Sequence, residues 1–242
     1  MSPALRRERY RSIQLRQLRR YIGYAAGEIL LIFVGITLAM WFSNWNETRH
    51  VRAQEAQALA DIATNLRVNA DVIRGKISED RKSVASCERV TAALARRDAW
   101  SSTLGKELMV CRWWTSPFFN SAAYDSLKAK GTDLIADPAL RGQIVNLYEQ
   151  VYAFLMNDTD KVFWVFHTAV MEPVLNRHVY PVSADEYVPN DYSSLLESPE
   201  FGNMLRQKVE MQRISIKDQQ KTLAETEKVL RLIGTRLASE SP

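Results

Sequence analysis

The apolar run from Ile22 to Phe42, IGYAAGEILLIFVGITLAMWF, holds one ionisable residue, Glu28, in 21 positions. As a helix it measures roughly 32 Å, against about 30 Å of bilayer hydrocarbon. A buried helix of a soluble domain would seldom be apolar on every face for this length. A cleaved signal peptide would have an apolar stretch of only about 7 to 15 residues before a small-x-small site, whereas this one runs on into Trp41, Phe42 and Trp45. Residues 22–45 are therefore expected to be an uncleaved transmembrane helix. No second stretch compares with it: Val162–Leu175 is interrupted by His167, Glu172 and Pro173 and reads as the core of a soluble domain.

Charge sets the expected orientation. Arg6, Arg7, Arg9, Arg11, Arg16, Arg19 and Arg20 precede the span, and Arg49 and Arg52 alone follow it closely. The positive-inside rule then makes residues 1–21 a basic cytoplasmic arm and residues 46–242 an extracytoplasmic domain. Tyr21 and Tyr24 at one end, and Trp41 and Trp45 at the other, suit the two interfacial belts. The arm carries a formal charge of +6, while residues 46–242 sum to −1 of the chain's +4. A nearly neutral large domain makes nucleic acid an unexpected partner.

The string Tyr24, Ala25, Gly27, Glu28, Ile29, then Gly35, Ile36, Ala39, then Asn44, Trp45, Asn46, Glu47 resembles the Y-A-x-G-E-I…G-I…A…N-W-N-E signature of a bacterial family of single-pass membrane proteins of unknown function. Tyr124, Leu127, Lys128, Gly131, Leu134, Ile135, Leu140, Ile144 and Tyr148 resemble the middle of the same family, and together the two matches touch about a third of the chain. Met40, Trp41, Phe42 and Ser43 stand where that family has aliphatic residues and Gln. The resemblance implies an N-terminal anchor and a helical extracytoplasmic domain, and it implies no activity. With the arginine asymmetry, the expected location is a bacterial inner membrane, N-terminus cytoplasmic and C-terminal domain periplasmic.

Within the span, Gly23 and Gly27 form a G-x-x-x-G pair, and Gly35 with Ala39 repeats the spacing. Small residues at this interval let membrane helices approach closely, so these four positions with Glu28 form the expected association face. An intramembrane carboxylate is costly unless protonated, paired or near head groups. Glu28 lies about 10 Å from the cytoplasmic edge by helix rise, within reach of head groups or of Arg16, Arg19 and Arg20; helix–helix pairing and a proton relay are the other readings.

Beyond the span, Leu59, Ile62, Leu66, Ile73, Ile77, Val84, Val90 and Leu94 recur at helical spacing, predicting one long helix over about 46–97, with Gly75 its weakest point. Residues 98–116 lack periodicity and are expected to be loop with a short helical turn. Asn120 or Ser121 can cap a helix to Lys130 with Gly131 as its stop. Asp137 and Pro138 are a cap-plus-proline start for a helix reaching Pro173 or Asn176, with Leu140, Ile144, Leu147, Val151, Phe154, Val162, Phe166 and Val170 facing inward. Ser198 and Pro199 repeat that start for a last helix to about Leu237, its inward face expected at Met204, Val209, Met211, Ile216, Leu223, Val229, Leu230, Ile233 and Leu237. Strand signals are weak. The expected fold is all-α: one N-terminal transmembrane helix followed by an extracytoplasmic antiparallel helical bundle.

Cys87 and Cys111 are the only cysteines. Outside a bacterial cytoplasm an even pair is expected to be oxidised to one bridge. The chain lacks the Walker phosphate loop, G-x-G-x-x-G, H-E-x-x-H, C-x-x-C and G-x-S-x-G. His167 and His178 share a helix face but stand about 16 Å apart by helix rise, too far for one metal. Hence no catalytic, metal or cofactor residues are assigned, and a non-enzymatic role is expected. Trp113, Trp114, Phe118 and Phe119, with Tyr124, are either a core plug or an exposed partner patch. Two functions fit: a membrane-tethered interaction or scaffold subunit of a complex with a protein partner or second copy, and a small-molecule sensing bundle that signals through a separate partner. A basic arm of 21 residues is too short to fold into an output domain.

Overall fold

The computed structural model describes the backbone of residues 3–240 and the side chains of residues 27–239. The chain is all-α overall, 85% helix and 4% strand, and divides into two compact units, Met1–Gln54 and Glu55–Pro242. Helix α1, Pro3–Arg96, runs through both. In the first unit every described side chain from Gly27 to Gln54 is exposed, including Ile29, Leu31, Phe33, Met40, Trp41 and Phe42. An apolar surface of this extent is not stable in water and needs cover. The segment is long and apolar enough to cross a membrane. The arginines of the arm and Gly23 lie outside the described side chains.

In the second unit, α1 buries Leu59, Ile62, Leu66, Ile73, Ile77 and Val90, as its period requires. The stretch expected to be loop contains helix α2, Ser102–Arg112, capped by Ser101, whose Oγ accepts from the Leu104 amide at 3.3 Å. Leu104, Leu108 and Cys111, spaced four and three, turn its buried face inward. Helix α3, Ala122–Lys130, stops at Gly131 (φ 103°), a conformation that disfavours any side chain.

Asp137 caps the next helix through bonds from the Ala139 and Leu140 amides (2.8 and 3.3 Å), and Pro138 takes the first position. That helix is unbroken over residues 138–178 but carries three π segments, Leu147–Tyr152, Leu155–Thr159 and His167–Met171. Each widened turn adds a residue relative to the α period and rotates the downstream side chains about the helix axis. For this reason Phe154 and Val162, expected inward from a 3.6-residue repeat, are 50% and 58% exposed, while Leu155 and Phe163 are buried. The third π turn sits just ahead of Pro173, whose missing N–H a regular helix would not accommodate, so the helix passes the proline and ends at His178.

A two-stranded antiparallel hairpin, β1 Val179–Ser183 and β2 Glu186–Pro189, forms where the strand signals in the sequence are weak. Val179, Val182, Tyr187 and Val188 are good strand formers, and both prolines fit a two-stranded ribbon whose outer edges need no partner. Its β2 strand packs on α2 at Gly105, where a Cβ would stand 2.2 Å from the Tyr187 carbonyl oxygen.

The C-terminal helix, Pro199–Glu240, begins as expected: the Ser198 Oγ accepts from the Phe201 amide at 3.2 Å. Its partners on α1 fall in number as its own rise, from Arg213 with Glu88, through Gln219 with Asp80 and Glu227 with Arg74, to Arg236 with Glu55. Two apolar clusters hold the unit. One joins Val90, Leu108, Phe166, Met171, Leu175 and Phe201, and the other joins Leu59, Leu66, Ile144, Leu147, Tyr152 and Ile233.

Cys87 and Cys111 form a disulfide between α1 and α2, both fully buried, 24 residues apart in sequence. Closing this loop removes chain entropy worth about 3 kcal/mol. Replacing both by Ala is expected to lower the unfolding free energy of the full chain in detergent by about that amount, and a denaturation midpoint unchanged without reductant would contradict the assignment.

Candidate functional site

Between the two apolar clusters the packing is polar. On the C-terminal helix Lys208, Gln212, Ser215, Gln219, Thr222 and Thr226 follow one another at intervals of four and three, the spacing that faces a neighbouring helix, and all are buried. Opposite them α1 buries Asn69, Lys76, Asp80, Ser83 and Ser86. Such groups are tolerated inside only when they satisfy one another.

Asp80, 2% exposed, is the hub. It pairs with Lys76 one turn earlier on α1. Gln212 Nε2 donates to Asp80 Oδ1 at 2.8 Å, and Gln219 Nε2 donates to Oδ2 at 2.7 Å. Ser83 Oγ donates to the Cys111 carbonyl at 3.0 Å, which ties the network to the disulfide. Toward the other cluster, Tyr152 OH and Thr226 Oγ1 stand 3.0 Å apart, and Asn69 accepts from the Asn120 amide at 2.7 Å while donating to its carbonyl at 3.1 Å.

Lys208 is 1% exposed. Its Nζ donates to the Trp113 carbonyl at 3.3 Å and lies 5.2 Å from the centroid of the Phe163 ring. Burial pushes this ammonium down to about 7; Asp80 opposes the shift and Lys76 adds to it. Burial also raises the Asp160 carboxyl above its ordinary value, against a bond from Ser116 Oγ and the charge of Lys76.

A cleft of about 300 Å³ opens between the π-rich helix and the C-terminal helix over this network. Phe154, Val162, Phe163, Met211 and Ile214 make its apolar walls, with Asp158 and Asp218 beside Thr159 and Ser215. Thr159, Phe163 and Ser215 also bound a chamber of about 10 Å³ that reaches Lys76, Asp160 and Gln219. Gln219 lines that chamber, and its buried Oε1 has no hydrogen-bond partner. Its amide orientation is fixed by the other end, since Nε2 donates to Asp80 and to Ser215 Oγ at 3.0 Å.

The aromatic set singled out in the sequence divides. Trp113 and Phe118 are 56% and 82% exposed. Trp114 packs on Trp164 and His167 with centroids 6.1 Å apart in both cases, and Phe119 stacks on Tyr152 at 4.3 Å. His167 Nε2 meets Glu172 Oε1 at 3.0 Å, and burial holds the imidazole below its ordinary pKa against the pull of Glu172. His178 Nε2 stands 3.1 Å from Ser198 Oγ, at the start of the C-terminal helix. In the apolar N-terminal segment, Gly27 and Gly35 have no neighbour where a side chain would point, and Glu28 and Ala39 are exposed. The polar row of the C-terminal helix was missed. Its 4-3-4-3-4 spacing stands in the sequence, but a search for apolar periodicity passes over Lys, Gln, Ser and Thr.

No protein-family model, curated protein or solved structure matches the chain.

Proposed function

We propose that the chain is a single-pass protein of a bacterial inner membrane, N-terminus cytoplasmic, whose residues 46–242 form an antiparallel helical bundle in the periplasm that binds a small molecule without transforming it. The anchor reading is supported by the exposed apolar helix, the arginine asymmetry and the resemblance of the Y-A-x-G-E-I to N-W-N-E string. The Cys87–Cys111 bridge supports an oxidising compartment for the folded unit.

The observation that carries the binding reading is the cleft. An open apolar depression that ends on buried, charged and incompletely paired groups is the usual form of a ligand site, and a bare scaffold gains nothing from it. In this reading the bundle passes its state to a separate membrane partner. The exposed Trp113 and Phe118 favour a second reading in which this surface meets a protein partner directly.

Two measurements test this. Alkaline phosphatase fused after Leu237 is expected to be active, and an inactive fusion with an active cytoplasmic reporter at the same position would overturn the topology. A thermal-shift screen of metabolites on the full chain in detergent is expected to yield ligands whose effect is lost in Val162→Trp, which fills the cleft from an exposed position. A broad screen without such a ligand would return the bundle to scaffold duty.

A further inference from the structure

We propose that the cleft between residues 154–163 and 211–218 is a site for a small hydrophobic primary amine in its ammonium form, an apolar body carrying one R–NH3+ group. This rests on the reading above that the cleft receives a ligand, and adds the ligand's chemistry.

The body is dictated by the walls. Phe154, Val162 and Ile214 are each half exposed or more, and together with Phe163 and Met211 they leave an apolar surface that a compact hydrocarbon or aromatic group would cover. The head is dictated by charge. Asp158 and Asp218 are the only ionisable groups among the residues lining the cleft, and Asp160 lines the chamber behind it. Lys221 stands 3.5 Å from Asp218, but its side chain is 80% exposed and screened by water.

The nearby buried cations have other partners, Lys76 on Asp80 and Lys208 on the Trp113 carbonyl and the Phe163 ring. What lacks a partner is an acceptor, the buried Oε1 of Gln219, a residue lining a chamber whose volume admits one small donor group. A terminal ammonium supplies N–H donors to that oxygen and a positive charge to the two aspartates that line the cleft. A carboxylate ligand would meet the like charges of Asp158 and Asp218 and an oxygen that cannot donate. A neutral alcohol would satisfy Oε1 but leave the carboxylates unanswered.

The test titrates the full chain in detergent with 2-phenylethylammonium, 2-phenylethanol and 3-phenylpropanoate by calorimetry at neutral pH. The ammonium is expected to bind saturably, about tenfold or more tighter than the alcohol, with the carboxylate weakest. Asp158→Asn with Asp218→Asn, both outside the buried network, is expected to weaken the ammonium about tenfold while leaving the alcohol unchanged. Val162→Trp is expected to abolish binding of all three. If the alcohol or the carboxylate binds as tightly as the ammonium and Val162→Trp removes it, the ligand class is wrong although the cleft is a binding site. If none of the three binds, or if binding survives Val162→Trp, the cleft is not the site of an amine, while the binding reading itself stands or falls on the broad metabolite screen.

Discussion

Asp80→Asn is expected to lower the unfolding free energy by about 3 to 5 kcal/mol, because it leaves the buried Lys76 ammonium without its ion-pair partner. Asp80 is the one fully buried carboxylate facing Lys76 and Lys208, and it also receives the amides of Gln212 and Gln219. Asparagine keeps the shape but offers one acceptor oxygen and a donor that faces those amide donors. The loss therefore combines unpaired charge with broken hydrogen bonds. Asp80→Leu combined with Lys76→Met removes the pair together and should recover most of it, since replacing a buried pair by apolar groups is often close to neutral. Urea denaturation of the full chain in detergent measures both variants. A single mutant within about 1 kcal/mol of wild type would show that the network contributes little to folding.

The contrast between the two halves of this core explains which parts were legible in sequence. Where burial is apolar and the period regular, as at Leu59, Ile62, Leu66 and Ile73, spacing alone marks the inward face. Caps were equally plain, because Asp137-Pro138 and Ser198-Pro199 carry their mechanism in two residues. The π turns were not legible. Nothing in the composition of residues 147–171 announces an extra residue per turn, and the face assigned to Phe154 and Val162 was rotated away as a result. The hairpin was hidden by Pro181 and Pro189, which argue against a strand inside a large sheet but are tolerated in an isolated ribbon. The candidate site was obscured for a related reason. Its groups are polar residues on positions that ordinarily carry Leu or Ile, and only the partner helix reveals that Gln212, Gln219 and Lys208 point inward rather than to solvent. The disulfide needed no such context, because two cysteines allow one intramolecular bridge.

Lys208→Met is expected to act in the opposite direction from Asp80→Asn and stabilise the protein at neutral pH. In the unfolded chain the ammonium titrates near 10.5, and in the folded protein burial lowers it to about 7. Below pH 7 both states hold the proton and folding carries the full cost of burying the charge. As pH rises from 7 toward 10.5 the folded state sheds its proton first, the unfolded state binds more protons, and stability climbs by up to about 1.4 kcal/mol per pH unit. At pH 7 the penalty is on the order of 4 kcal/mol, and methionine, of similar length and apolar, removes it. The Trp113 carbonyl loses its donor, a neutral hydrogen bond worth about 1 kcal/mol against that penalty. Asp80 keeps Lys76 and both glutamines, so no buried anion is orphaned. Wild type should therefore gain stability between about pH 7.5 and 9.5, and the variant should start higher and stay flat. Higher pH is avoided because burial raises Tyr148, Tyr152 and Tyr124, the last to about 12, so their ionisation in the unfolded chain would oppose folding there. A wild-type profile that is flat across this window, or a methionine variant no more stable than wild type at pH 7, would mean that Lys208 reaches water and bears no such penalty.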